Sequence, residues 1–294
     1  MKKVVIRILA VFFVIASIAL ICYPFISNYL MERQQESQIV TYNEEVKDVT
    51  AERKKAEYEK ARQYNLGFST KVIITDPFDP SFQLPLNIEY DNVLNYTGDG
   101  IMGTLEIPVI NLELPIYHGT SEEVLLKGVG HLQNTSLPVG GKTSHSILTG
   151  HTGLSSAKLF TDLDQIKIGD MFYTNILNDT RAYKVCKIYV IEPDDTESLI
   201  VHENKDYISL LTCTPYGVNS HRLVVRGKHI EYNEEEHNKL VDNKPVVDST
   251  WMKEYRRALL IGAEILSGIL FVFIVFRIIL VLVKKKRSES TDKE

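Results

Sequence analysis

The stretch SLLTCTPYGVNSHRLVVRG, running from Ser209 to Gly227, decides the fold. Two apolar runs, one ending at Cys213 and the other starting at Arg222, flank a segment that holds Pro215, Gly217, Asn219 and Ser220. Turn-formers between two strand-like runs are the signature of a β-hairpin with a longer loop. Such a hairpin brings Cys213 and Arg222 close on adjacent strands. A neighbouring cation stabilises a thiolate and can donate hydrogen bonds to a developing oxyanion, so the pair points to nucleophilic catalysis. The bland alternative is that Cys213 is a small buried hydrophobe at a strand end, the commoner use of a lone cysteine.

Outward from the hairpin the texture stays the same. Between about Gly67 and Tyr232, short apolar runs such as GTLEIPVINLELPIYHG, SHSILTGH, MFYTNIL and AYKVCKIYVIE are broken by Gly, Pro, Asn and Asp. Several short alternating runs with turn signals between them imply a mostly β barrel or sandwich. Helical patterning is confined to patches, SEEVLLKGV after Gly119 and SAKLFTDLDQI after Ser155.

A thiol nucleophile needs a proton carrier, and the chain has eight histidines. His151 ends the run HSILTG between Gly150 and Gly153, a strand end opening into a loop where a side chain is both held and accessible. His118 and His131 also adjoin glycines, and His221 precedes Arg222, so local chemistry alone leaves these open beside His151. His202, His229 and His237 read as solvated.

LTCTPYGVNSHRLVVRG, with Arg222 nine positions after Cys213, and SILTGHTGLSSAKLFTDL around His151 resemble the two signature regions of the sortases. The flanks MGTLEIPVINLELPIYHGTSEEVLLKGVGHLQNTSLPVGG and KIYVIEPDDTESL resemble the class C, pilus-assembling sortases of Gram-positive bacteria, and the likeness runs from about Ser69 to Tyr232. The resemblance implies an eight-stranded β-barrel and a triad mapping onto Cys213, His151 and Arg222. It further implies a cysteine transpeptidase. Cys213 would attack the Thr-Gly carbonyl of an LPXTG-like sorting signal and form a thioester, with a pilin lysine amine as acceptor. Thr212 or Thr214 would help at the oxyanion or substrate backbone. ITDPFDPSF resembles the class C lid, in which Asp76 would pair with Arg222 while Phe78, after Pro77, covers the sulfur. No cofactor or metal is expected. The acidic cluster Glu192, Asp194, Asp195 and Glu197 lacks the spaced repeat of a calcium loop and reads as a solvated turn.

The two ends carry a different message. Ile8 to Cys22 is apolar behind Lys2, Lys3 and Arg7, and Ala258 to Val283 is apolar ahead of Lys284 to Arg287. Each is about the length a bilayer core demands of a helix, although the first could also be a signal peptide. Tyr23, Pro24 and Phe25 stand where a small-residue cleavage site would be, which favours a retained anchor. Basic outer tips place both termini in the cytoplasm and the barrel on the extracellular face. The expected layout is an anchor or signal at 1–26 and a charged helical stalk at 27–66. A lid and entry segment at 67–100 and a catalytic barrel at 101–232 follow. The remainder divides into a linker at 233–257, a membrane helix at 258–283 and a basic tail at 284–294.

Composition excludes several other classes. Hydrophobic residues make up 44% of the 294, too many for disorder. The net charge of −5 comes without a large one-sign block in the middle, which argues against a nucleic-acid groove. Only Cys186 and Cys213 lie outside the apolar ends, too few for a disulfide scaffold, with a single Cys186–Cys213 bridge as the alternative. Competing functions are a housekeeping sortase attaching surface proteins to cell-wall peptide, a non-catalytic surface binding protein, and a papain-like protease. The order of His151 before Cys213 counts against the last.

Overall fold

The structure, a computed structural model, describes residues 2–67, 76–79, 87–243 and 249–291. Most of the expected lid and entry segment, residues 68–75 and 80–86 with Pro80 among them, therefore lies outside the described residues, whereas Asp76 to Asp79 lie within.

Eight strands form one closed barrel: β1 (Ile101–Ile107), β2 (Leu112–His118), β3 (Val129–His131), β4 (Ser144–Thr149), β5 (Met171–Ile176), β6 (Asp179–Ile191), β7 (Asp206–Thr214) and β8 (His221–Ile230). Their order around the wall is β1-β2-β3-β4-β7-β8-β6-β5. β7 lies parallel to β4 and antiparallel to β8. Closure leaves no unpaired edge, so the short runs of the sequence suffice as strands.

Alternation along β7 and β8 gives the sheet two different faces. Ile208, Leu210, Leu223 and Val225 point into the main core, where Phe172 stacks on Tyr183 with ring centroids 5.4 Å apart. Gly227 is needed there, since a Cβ would lie 2.4 Å from the Phe172 ring. Leu211 and Val224 point the other way, into a second buried cluster with Leu132, Ile147, Ile191 and Leu199. Cys213 and Arg222 are on this outer side.

Helices decorate the barrel. The expected patches are α4 (Glu122–Lys127) and a 3-10 segment at Leu159–Gln165, and a further short helix, α3, spans Ile88–Asn92. The charged segment before the barrel differs from an exposed stalk. Helix α1 (Lys2–Lys47) runs unbroken through Pro24, and α2 (Ala51–Leu66) follows with Thr50 capping its first turn. Gln35, Ile39, Tyr42 and Val46, spaced by four, three and four residues, form one buried face of α1. The Tyr42 hydroxyl donates to the Met102 carbonyl and accepts from Leu177 N–H. Tyr58 of α2 donates to the Ile176 carbonyl. The carboxy-terminal half of α1 and α2 thus pack against the barrel.

Among the described residues, two helices are long and apolar enough to cross a membrane, within Val4–Lys47 and Thr250–Leu282. The linker contains a helix of its own, α5 (Glu234–Asp242), capped by Asn233. The second membrane-length helix, α6 (Thr250–Thr291), belongs to a separate compact unit, Asp248–Glu294.

Candidate active site

The hairpin read from the sequence is present, and its register pairs Cys213 directly with Arg222. His151 follows the end of β4. That strand pairs in parallel with β7 up to the rung Thr149–Leu211, and Gly150 N–H extends the ladder to the Leu211 carbonyl at 3.1 Å. Two residues further along both strands are His151 and Cys213. Phe160 N–H donates to the His151 carbonyl at 2.9 Å, and Gly153 N–H donates to Thr161 Oγ1 at 3.1 Å, so the loop carrying the imidazole is fastened beyond the strand.

Asp76 and Phe78 lie over this corner. The Asp76 carboxylate takes two hydrogen bonds from one guanidinium, Arg222 Nε at 2.9 Å and Nη2 at 2.6 Å, a bidentate geometry that fixes both partners. The other face of the fork is held by backbone, with Nη1 donating to the Asn219 and His221 carbonyls. The Phe78 ring sits 5.5 Å from the His151 ring and 5.1 Å from the guanidinium carbon of Arg222. Pro77 fixes the turn between them, closed by Phe78 N–H on Asp76 Oδ1 and by Asp79 N–H on the Asp76 carbonyl. One tight turn therefore sets a carboxylate on the arginine and an aromatic ring against the imidazole.

Electrostatics follow from this cover. Burial pushes the Cys213 thiol up to about 11; Arg222 pulls it down and Asp76 pushes it up. Burial lowers the His151 pKa, with a small opposing pull from Glu122. For Arg222, burial is the largest influence and acts downward, but the Asp76 hydrogen bonds together with the charges of Cys213 and Asp76 outweigh it, so the guanidinium ends above its usual range. In this arrangement the sulfur is a neutral thiol at neutral pH and the arginine is engaged by a carboxylate.

The other marked residues go elsewhere. Thr212 is buried with its hydroxyl on the Gly150 carbonyl at 2.7 Å, while Thr214 is partly exposed beside Cys213. His131 is buried on Tyr90 and the Ser136 carbonyl, and His118 lies between the Gly100 and Val93 carbonyls. His221 faces Glu192, and His237 contacts Glu106 and stacks on Tyr173 instead of standing in solvent. Cys186 and Cys213 are both free thiols, which overturns the bridge between them. His145, not singled out in the sequence, is a buried crosslink between the Ile200 carbonyl and Ser209 Oγ. Its alternation with Ile147 along β4 was the only local signal.

The family model of the Sortase domain matches residues 105–230, which takes in His151, Cys213 and Arg222. The solved Streptococcus agalactiae sortase C1 is 40% identical with a TM-score of 0.61, covering 69% of this chain and 98% of its own. The chain belongs to the sortase family. Among solved sortases it is also similar to Streptococcus pneumoniae sortase C, 38% identical with a TM-score of 0.61, covering 67% of this chain and 98% of that one. These likenesses set it with the class C sortases, and sortases are cysteine transpeptidases. Sortase D of Bacillus subtilis is 30% identical over 131 residues; the match covers 44% of this chain and 63% of that relative, just under two thirds of its length.

Proposed function

We propose that this chain is a membrane-anchored transpeptidase that polymerises pilin subunits, with Cys213 as nucleophile, His151 as general acid and base, and Arg222 as oxyanion donor. The observation that carries the reading is the direct cross-strand pairing of Cys213 with Arg222 at the strand end beside His151. In the first step Cys213 gives its thiol proton to His151, its sulfur bonds to the Thr carbonyl carbon of an LPXTG-like signal, and Arg222 hydrogen-bonds the oxyanion. His151 then protonates the glycine nitrogen as the C–N bond breaks, leaving a thioester. In the second step a pilin lysine amine attacks the thioester and gives its proton to His151. The C–S bond breaks, an isopeptide bond forms and the sulfur is regenerated. Thr214 is the remaining candidate for a helping hydrogen bond.

Asp76, Pro77 and Phe78 act as a lid in this reading. Substrate must displace Asp76 from Arg222 and Phe78 from the space beside His151 before the carbonyl can enter. Pilin as substrate is supported by relatives: similar solved enzymes include sortase C1 of GBS pilus island 1 and a sortase C whose structure bears on pilin substrate specificity. The basic outer tips of both membrane-length helices support cytoplasmic termini and an extracellular barrel. The domain layout given above is part of the same proposal, with the charged helical segment 27–66 packed in part against the barrel. Replacing Cys213 by alanine in cells that make the chain and its pilin should abolish covalent, detergent-resistant pilin polymers. Polymers that persist undiminished would instead favour a binding protein without catalysis.

A further inference from the structure

Thr212 precedes the nucleophile, yet by alternation its side chain points to the barrel interior while Cys213 points outward. It is 2% exposed, and its hydroxyl donates to the Gly150 carbonyl at 2.7 Å. Gly150 in turn precedes His151. A Cβ at Gly150 would lie 2.8 Å from the Phe160 ring, so this backbone is pressed on its other side by an aromatic that also bonds the His151 carbonyl through its own N–H. The residue before the sulfur is therefore tied to the residue before the imidazole, just past the last paired rung of β4 and β7. A hydroxyl has one proton to donate. With that proton on a buried carbonyl, Thr212 cannot also be a donor to the oxyanion without leaving Gly150 unsatisfied.

We propose that Thr212 is a positioning residue that sets the spacing of His151 from Cys213 by clamping the Gly150 carbonyl, and that it does not serve as an oxyanion donor. The proposal rests on the assignment of Cys213 and His151 under Proposed function. It goes beyond that assignment in naming what holds the two groups in register across separate strands.

The test compares Thr212→Val, which keeps the shape and loses the hydroxyl, with Thr212→Ser, which keeps the hydroxyl, in the full chain in detergent micelles. Turnover of an LPXTG-type peptide should fall in the valine variant by about tenfold or more in kcat, with KM within about twofold, since a misplaced proton carrier affects the step and not the binding. The serine variant should stay within about threefold of wild type. The discriminating readout is alkylation of Cys213 by iodoacetamide against pH, a reaction that forms no oxyanion. A clamp predicts a changed pH profile in the valine variant and a wild-type profile in the serine variant. An unchanged profile alongside a fall in kcat would overturn the clamp in favour of oxyanion donation, and equal losses in both variants would overturn it in favour of methyl packing. Alkylation needs no peptide turnover. Failure of the transpeptidase reading would thus appear in the wild-type chain, and failure of the clamp in the comparison of the variants.

Discussion

The Asp76 carboxylate occupies Arg222 and, after burial, is the second influence that raises the thiol of Cys213. Replacing it with asparagine keeps the shape and removes the charge. The thiol pKa should then fall from its value of about 11, since one of the two influences raising it is gone and Arg222 is free to act on the sulfur. More thiolate at neutral pH follows, so alkylation of Cys213 at pH 8 should quicken by about tenfold for each unit the pKa drops. A pH–rate profile measured by mass spectrometry checks this, and a profile identical to wild type would count against the lid. The sequence made these residues legible to unequal degrees. Cys213 and Arg222 were readable because one hairpin dictates their pairing. His151 was not separable from other glycine-flanked histidines until the signature around it was recognised, since burial and accessibility are tertiary properties. The Asp76–Arg222 pair joins residues 146 apart in the chain, and it was legible only through the resemblance of ITDPFDPSF to the class C lid, because spacing alone does not encode so distant a contact.

The loop from Gly150 to Thr161 is the element on which the histidine depends. An alanine at Gly150 would drive its Cβ into the Phe160 ring, and the strand end carrying His151 would have to shift. Gly150→Ala should keep the far-ultraviolet circular dichroism of the barrel and lose about tenfold or more of kcat toward an LPXTG-type peptide, because catalysis tolerates little misplacement. Wild-type kcat in that variant would show that the close packing does not position the loop. The strands were legible as short alternating runs, but their closure was not, since the parallel pairing of β4 with β7 joins segments separated by two intervening strands. The packing of the helices before the barrel was not legible for a related reason. Their buried face consists of a few scattered residues, Ile39, Tyr42, Val46, Tyr58 and Ala61, in a charged background, too sparse to stand out as an amphipathic stripe.

Over the whole molecule, the fold keeps the buried His131 and His145 neutral. Burial lowers His131 and His145 to about 3, and both hydrogen-bond in the neutral form. An unfolded histidine titrates near 6.5, so between there and about 3 the unfolded chain binds more protons, and stability must fall as pH drops through that window. Each histidine contributes on the order of a few kcal/mol to that loss. The urea midpoint of the full chain in detergent should therefore be lower at pH 4.5 than at pH 7.5, and His145→Asn, which cannot ionise, should reduce the difference. A midpoint unchanged with pH would contradict the buried neutral state. Such acid sensitivity belongs to the barrel as a unit, whereas the proposed chemistry belongs to one corner of its outer face. That corner is tested most directly by incubating the full chain in detergent with an LPXTG-type peptide and hydroxylamine, then analysing enzyme and peptide by mass spectrometry. The account predicts an acyl adduct confined to Cys213 and a peptide hydroxamate ending at threonine, both absent in Cys213→Ala. Hydroxamate formed without Cys213, or a peptide left intact by the wild-type chain, would contradict it.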